Sequence, residues 1–88
     1  MKDDFEKYST LVKLLPKKPS DDDLLILYCL YKQSTIGDCN IKKPNGLFNV
    51  KEQKKWQAWN NIKGTSSIHA KSLYIKKVKD LIQLQNEI

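Results

Sequence analysis

An all-α bundle of four helices is the fold this sequence predicts, and three observations carry the prediction. Apolar residues recur at helical rather than alternating spacing, prolines and glycines cut the chain into four periodic segments, and no internal repeat or low-complexity tract interrupts them. At 88 residues the chain has room for one modest core, hence one domain over 1–88. A hydrophobic fraction of 40% and a charged fraction of 30% suit a folded chain rather than a disordered one.

From Asp4 to Leu15 the apolar residues Phe5, Tyr8, Leu11, Val12 and Leu15 recur at three and four, and Pro16 and Pro19 then end the segment. Ser20, with Asp23 three residues later, reads as an N-cap with an acidic N3 residue, and Asp21 and Asp22 complement the positive helix end. A second helix is therefore expected from about Asp21 to Ile36. Its first turns, Leu24 to Leu30, leave hardly any polar face. Leu24, Leu27, Tyr28 and Tyr31 form one stripe and Ile26, Leu30 and Gln33 another; one face can pack while the other lines a pocket, or neighbours can bury the helix all round. Gly37 suits the C′ position, and Gly37 to Phe48, with Pro44, Asn45 and Gly46, reads as a long irregular connection of the kind that often holds a site together. Asn49 with Glu52 is a second cap signature, opening a third helix through Ile62 that Gly64 stops and that carries Trp56 and Trp59 one turn apart on its buried face. Thr65 or Ser66 caps a fourth and longest helix, whose Ile68, Leu73, Tyr74, Ile75, Val78, Leu81 and Ile82 give a broad apolar stripe.

The net charge is +6, and all sixteen cationic side chains are Lys. Lys holds phosphates as a point charge but lacks the guanidinium fork that reads guanine, so phosphate binding is favoured over base reading. Cys29, Cys39 and the single His69 supply neither a disulfide framework nor a zinc site, and the two cysteines read as free thiols in a reducing compartment. No apolar run approaches the roughly 18 residues of a membrane span, so a soluble intracellular protein is expected. His69 reads as a solvated side chain, and capping already explains Asp21, Asp22 and Asp23 without a metal. No catalytic set can be assembled from these residues, so no enzyme is expected.

With glycine only at 37, 46 and 64 there is no phosphate-cradling loop, and phosphate affinity has to come from side chains. Candidates are Lys13, Lys17, Lys18, Lys32, Lys51, Lys54 and Lys55. Tyr28 and Lys32 stand four apart on a helix, so a phenol and an ammonium can converge on one phosphate, with the Tyr31 ring a turn away for stacking. The residues alone leave three function classes open: a binder of flat, anionic, partly apolar ligands, a small nucleic-acid module, and a helical protein-interaction domain using the Leu24 to Leu30 face.

The run Tyr28-x-x-Tyr31-Lys32-Gln33-Ser34-Thr35-Ile36-Gly37-Asp38-Cys39-Asn40, then Pro44, Lys55-Trp56-Gln57-Ala58-Trp59-Asn60, Lys63-Gly64-Thr65-Ser66 and Ala70 to Tyr74-Ile75 resembles the acyl-CoA-binding protein family. The motifs appear in order, at nearly the family's spacing, from Phe5 to Leu81. The resemblance implies a small cytoplasmic four-helix bundle, monomeric, that binds medium- to long-chain fatty acyl-CoA esters one to one with high affinity and serves as carrier and pool former. It implies no cofactor, no metal, no nucleic-acid partner and no stable membrane insertion. By position it assigns Tyr28, Lys32 and Lys55 to the 3′-phosphate of CoA, Tyr31 to the adenine, and Lys13 to the CoA head. It also places Cys29, Leu30 and Tyr74 among the ligand contacts and Leu24, Leu25 and Leu27 along the acyl groove. Phe5, Val12, Leu15, Tyr74, Ile75, Val78 and Leu81 would pack the first helix on the last, while Trp56 and Trp59 would anchor the third helix so that Lys55 faces Lys32. Three departures stand out: Asn45 is an extra residue before Gly46, Pro16 lies in a connection usually free of proline, and Lys54 replaces a small residue at the rim of the acyl groove.

Overall fold

The computed structural model describes residues 4–45 and 49–86. Four helices make up the all-α bundle that the sequence predicts: α1 (Asp4–Leu11), α2 (Asp21–Thr35), α3 (Val50–Asn61) and α4 (Ser67–Asn86), with no strand among the described residues. No helix among them is long and apolar enough to cross a membrane. Gly46, Leu47 and Phe48, in the expected long connection between α2 and α3, lie outside the described residues.

α1 stops short of the predicted Leu15. Its path tightens into a 3-10 turn over Val12–Leu14, and Leu15 is extended at φ −60° and ψ 135°. A proline ring clashes with the preceding residue in the α region, so Pro16 ends the helix from downstream. At α2 the Ser20 Oγ accepts a hydrogen bond from the Asp23 N–H at 3.1 Å, as predicted. The Asp23 carboxylate pairs instead with Lys77 Nζ on α4 at 2.7 Å. Gly37 then ends α2 at φ 101°, a left-handed conformation that an L side chain rarely adopts.

The predicted Asn49 cap does not form. Asn49 makes no capping hydrogen bond and lies at φ −111°, ψ 38°, away from the extended backbone a cap uses. Its Nδ2 donates to the Asn45 carbonyl at 2.8 Å instead. Of the two candidates before α4, Ser66 is the cap, its Oγ accepting from the His69 N–H at 3.1 Å.

α2 packs against both α3 and α4, and α1 packs on α4, giving the lateral order α3–α2–α4–α1. The core is Phe5, Leu27, Cys29, Leu30, Trp59, Tyr74, Val78 and Leu81, and each large apolar side chain buried there contributes about 1.5–3 kcal/mol. The buried stripe of α4 is narrower than its sequence suggests, because Ile68 and Leu73 are exposed. α2 is not enclosed on all sides either: Ile26 is 41% and Tyr31 44% exposed. Flanked by α3 and α4, it keeps an outward face.

Polar ties fix the connections that border this face. Gln33, buried on α2, donates through Nε2 to Asp38 Oδ1 at 2.9 Å and to the Thr65 carbonyl at 2.8 Å, and the Gly64 N–H also donates to Asp38 Oδ1 at 2.8 Å. The Gly64 N–H, then Gln33, hold the Asp38 carboxyl below its usual range. The Trp59 Nε1–H donates to the Gly37 carbonyl and the Trp56 Nε1–H to the Ile41 carbonyl, each at 2.8 Å, so both tryptophans bind α3 to the connection that follows α2. Trp59 is buried, whereas Trp56 is only half-buried.

Candidate functional site

The outward face of α2 forms the floor of two adjoining cavities that share Leu24 and Tyr28. On the α1 side a cavity of about 480 Å³ is lined by Ser9, Val12, Lys13, Pro19, Leu24, Leu27, Tyr28, Tyr31 and Tyr74. On the α3 side a cavity of about 450 Å³ is lined by Lys18, Asp21, Asp22, Leu24, Leu25, Tyr28, Val50, Lys51, Lys54 and Lys55. Helical periodicity accounts for the floor, since positions 24, 27/28 and 31 fall on one stripe. Together the cavities form a trough with apolar stretches and a charged rim in which lysines outnumber Asp21 and Asp22.

Tyr28 stands at the seam. Lys32 Nζ lies 5.8 Å and Lys55 Nζ 5.3 Å from its ring centroid, so two ammonium groups from two helices attend one phenol. Lys32 also lies 5.8 Å from the Trp59 ring. Burial raises the Tyr28 pKa, and Glu52 adds to the rise while Lys55 opposes it. The phenol is therefore neutral at pH 7 and able to donate its O–H. Lys55 has a competing partner in Glu52, three residues earlier on the same helix and 3.5 Å away. An exposed pair of that kind is worth a few tenths of a kcal/mol up to about 1, so a phosphate can displace it. One donor hydroxyl and two cations suit a phosphate monoester.

Tyr31 belongs to an aromatic triangle. Its ring stacks on Phe5, with centroids 5.6 Å apart and planes at 23°, and both rings tilt against Tyr74 at 5.0 and 6.0 Å. At 44% exposure Tyr31 still offers ring surface to a flat ligand. Tyr74 is buried in the core and also lines the α1-side cavity, so it joins packing to site.

The structure brings together most of the residues singled out from sequence. Lys13 reaches the α1-side cavity from the 3-10 turn, and Leu24, Leu25 and Leu27 line one cavity or both. Cys29 and Leu30 stand apart. Each is 7% exposed, each belongs to the core, and neither lines the trough. The Cys29 thiol donates to the Ile26 carbonyl, and burial pushes its pKa up, leaving it a protonated core side chain. Ser9, Val12, Pro19 and Val50 line the trough without having been singled out for it. Ser9 and Lys13 are i and i+4 partners, a signal present in the sequence but carried by a residue type with no distinctive chemistry.

A family described as "Acyl CoA binding protein" matches residues 2–78. The chain is 48% identical over 83 residues to the acyl-CoA-binding protein of Gossypium hirsutum, covering 94% of this chain and 92% of that protein. With the acyl-CoA-binding protein of Saccharomyces cerevisiae it shares 51% identity over 78 residues, covering 89% and 88%. Its fold matches the crystal structure of Oryza sativa acyl-CoA-binding protein 2 with a TM-score of 0.87 and 41% identity, over 94% of this chain and 91% of that one. A family match over most of the chain, close relatives covered nearly end to end and a shared fold agree: the chain belongs to the acyl-CoA-binding protein family.

Proposed function

We propose that this protein binds medium- to long-chain fatty acyl-CoA esters one to one and carries them through the cytoplasm as a monomer, making and breaking no bond. The observation that carries this reading is the attendance of Lys32 and Lys55 on Tyr28 at the seam of a trough with an apolar floor. Tyr28, Lys32 and Lys55 take the 3′-phosphate, Tyr31 offers its exposed ring to the adenine, and Lys13 meets the rest of the head. Leu24, Leu25 and Leu27 take the acyl chain. At about 0.8 kcal/mol per buried methylene a C16 tail contributes on the order of 10 kcal/mol before the cost of association. The tail thus supplies most of the affinity, while the head selects CoA from other amphiphiles. Lys54, on the rim of the α3-side cavity, bears on which chain lengths fit.

Calorimetry with palmitoyl-CoA and with its 3′-dephospho form tests the reading. The expected result is one-to-one binding of the parent ester and affinity at least about tenfold weaker without the 3′-phosphate. Equal affinity for the two would remove the phosphate assignment, and no binding of palmitoyl-CoA would remove the function.

A further inference from the structure

The arrangement at Tyr28 occurs a second time, in a place the acyl-CoA reading does not use. Lys7 Nζ and Lys79 Nζ each lie 5.5 Å from the Tyr8 ring centroid, the same relation that Lys32 and Lys55 bear to Tyr28. Here too one lysine shares the helix of the tyrosine and the other crosses from a neighbour, in this case from α4 to α1. Beside the ring is a hollow of about 310 Å³ lined by Tyr8, Lys79, Ile82, Gln83 and Asn86, none of which lines the trough.

We propose that Tyr8, Lys7 and Lys79, with this hollow, form a second binding site for a phosphate ester that carries an apolar group. Lysine stems that merely cover an aromatic ring would explain one such contact. They leave unexplained why lysines from two helices attend the same ring. Lys76 pairs with Asp80 and Lys77 with Asp23, whereas among the described residues neither Lys7 nor Lys79 has an ion-pair partner. The half-buried Tyr8 presents a phenol, and the Asn86 amide adds a neutral donor for phosphate oxygens. The apolar requirement comes from what adjoins the cluster. Ile82 walls the hollow itself, and across Lys79 a second depression of about 610 Å³ continues over Ile75 and Ile68, the latter 81% exposed. A phosphorylated amphiphile meets both demands, whether it is a headgroup in a lipid surface or a free phosphate ester.

The test is an amide chemical-shift titration of the full chain with dihexanoyl phosphatidic acid, with inorganic phosphate and, by sedimentation, with phosphatidylcholine vesicles with and without phosphatidic acid. Saturable shifts are expected at Tyr8, Lys79, Ile82 and Asn86 with the short-chain lipid. Lys79→Ala is expected to weaken that binding about tenfold while Lys32→Ala leaves it unchanged. Retention on the acidic vesicles alone assigns the site to a lipid surface; saturable binding of the soluble ester without vesicle retention assigns it to a free phosphate ester. Shifts confined to Tyr28, Lys32 and Lys55, undiminished binding by Lys79→Ala, or no shift with any probe would each overturn the proposal. Because the trough is untouched by Lys79→Ala, unchanged palmitoyl-CoA affinity in that variant separates failure here from failure of the carrier reading.

Discussion

Replacing Trp59 with Phe separates what holds the site together from what touches ligand. The indole is 2% exposed, donates to the Gly37 carbonyl at 2.8 Å and lies 5.8 Å from the Lys32 ammonium. Phe keeps a six-membered ring in the core but loses the N–H and the five-membered ring. Losing the hydrogen bond costs about 1 kcal/mol, since the half-buried Gly37 can recover part of it from water. The unfilled volume adds about 1–2 kcal/mol. The total is about 2–3 kcal/mol, and at about 4–8 °C per kcal/mol for a domain of this size the thermal midpoint falls by about 10–20 °C. Urea unfolding followed by circular dichroism should show the midpoint lowered with the slope unchanged. Palmitoyl-CoA affinity should fall by less than about threefold, because a phenyl face remains beneath Lys32. A stability loss below about 1 kcal/mol would refute the anchoring role, and a large affinity loss at wild-type stability would put Trp59 in the ligand site.

Three further outcomes follow from the same geometry. Lys32→Ala should weaken palmitoyl-CoA binding about tenfold by calorimetry, and a thermal midpoint lowered as far as in Trp59→Phe would make Lys32 a structural residue instead. Ser20→Ala removes the acceptor for the Asp23 N–H and should cost about 1 kcal/mol in urea unfolding; no change would mean that water replaces the cap. The hydrogen bond from Lys77, foremost, holds the Asp23 carboxyl below its ordinary pKa. A carboxyl depressed in the folded state stabilises above its unfolded pKa of about 3.9, and that contribution is lost as pH falls through the folded value. Asp23→Asn should therefore lose less stability than wild type on acidification below about pH 4, with Asp38 supplying the acid dependence that remains. Identical acid profiles would mean that the Lys77 pair adds nothing.

The helices were legible because their ends are written locally. Pro16, Ser20, Gly37, Gly64 and Ser66 each act on backbone within about three residues, and each stands close to where a helix begins or ends. Asn49 misled because a cap depends on backbone angles as well as residue type, and the Asn45 carbonyl captured its side chain. Within the site, Tyr28 and Lys32 were readable from four-residue spacing, whereas the approach of Lys55 joins two helices and came from the family resemblance. Cys29 and Leu30 sit between Tyr28 and Tyr31 in sequence, but neighbouring positions on a helix diverge by about 100° and turn into the core. The clamp of Gln33, Asp38, Gly64 and Thr65 spans up to 32 residues, so no local pattern announces it.

The disposition of acidic residues leaves Lys32 without a carboxylate partner among the described residues. Asp23 is engaged with Lys77 and Ser20, Asp38 is fixed by two N–H donors, and Asp80 holds Lys76. Glu52 pairs weakly with Lys55, and Asp21 and Asp22 line the α3-side cavity beside its lysines. Lys32 is left with aromatic faces as its counterpart, and an aromatic face neutralises no charge. A phosphate entering there supplies a counter-charge as well as accepting hydrogen bonds. Binding should therefore stabilise the fold through α2 and α3 together, the two helices that supply the cations, and weaken as salt screens them. α2 serves both ends of this design, with Leu27, Leu30 and Gln33 holding the bundle while Leu24, Tyr28 and Tyr31 turn outward to the trough.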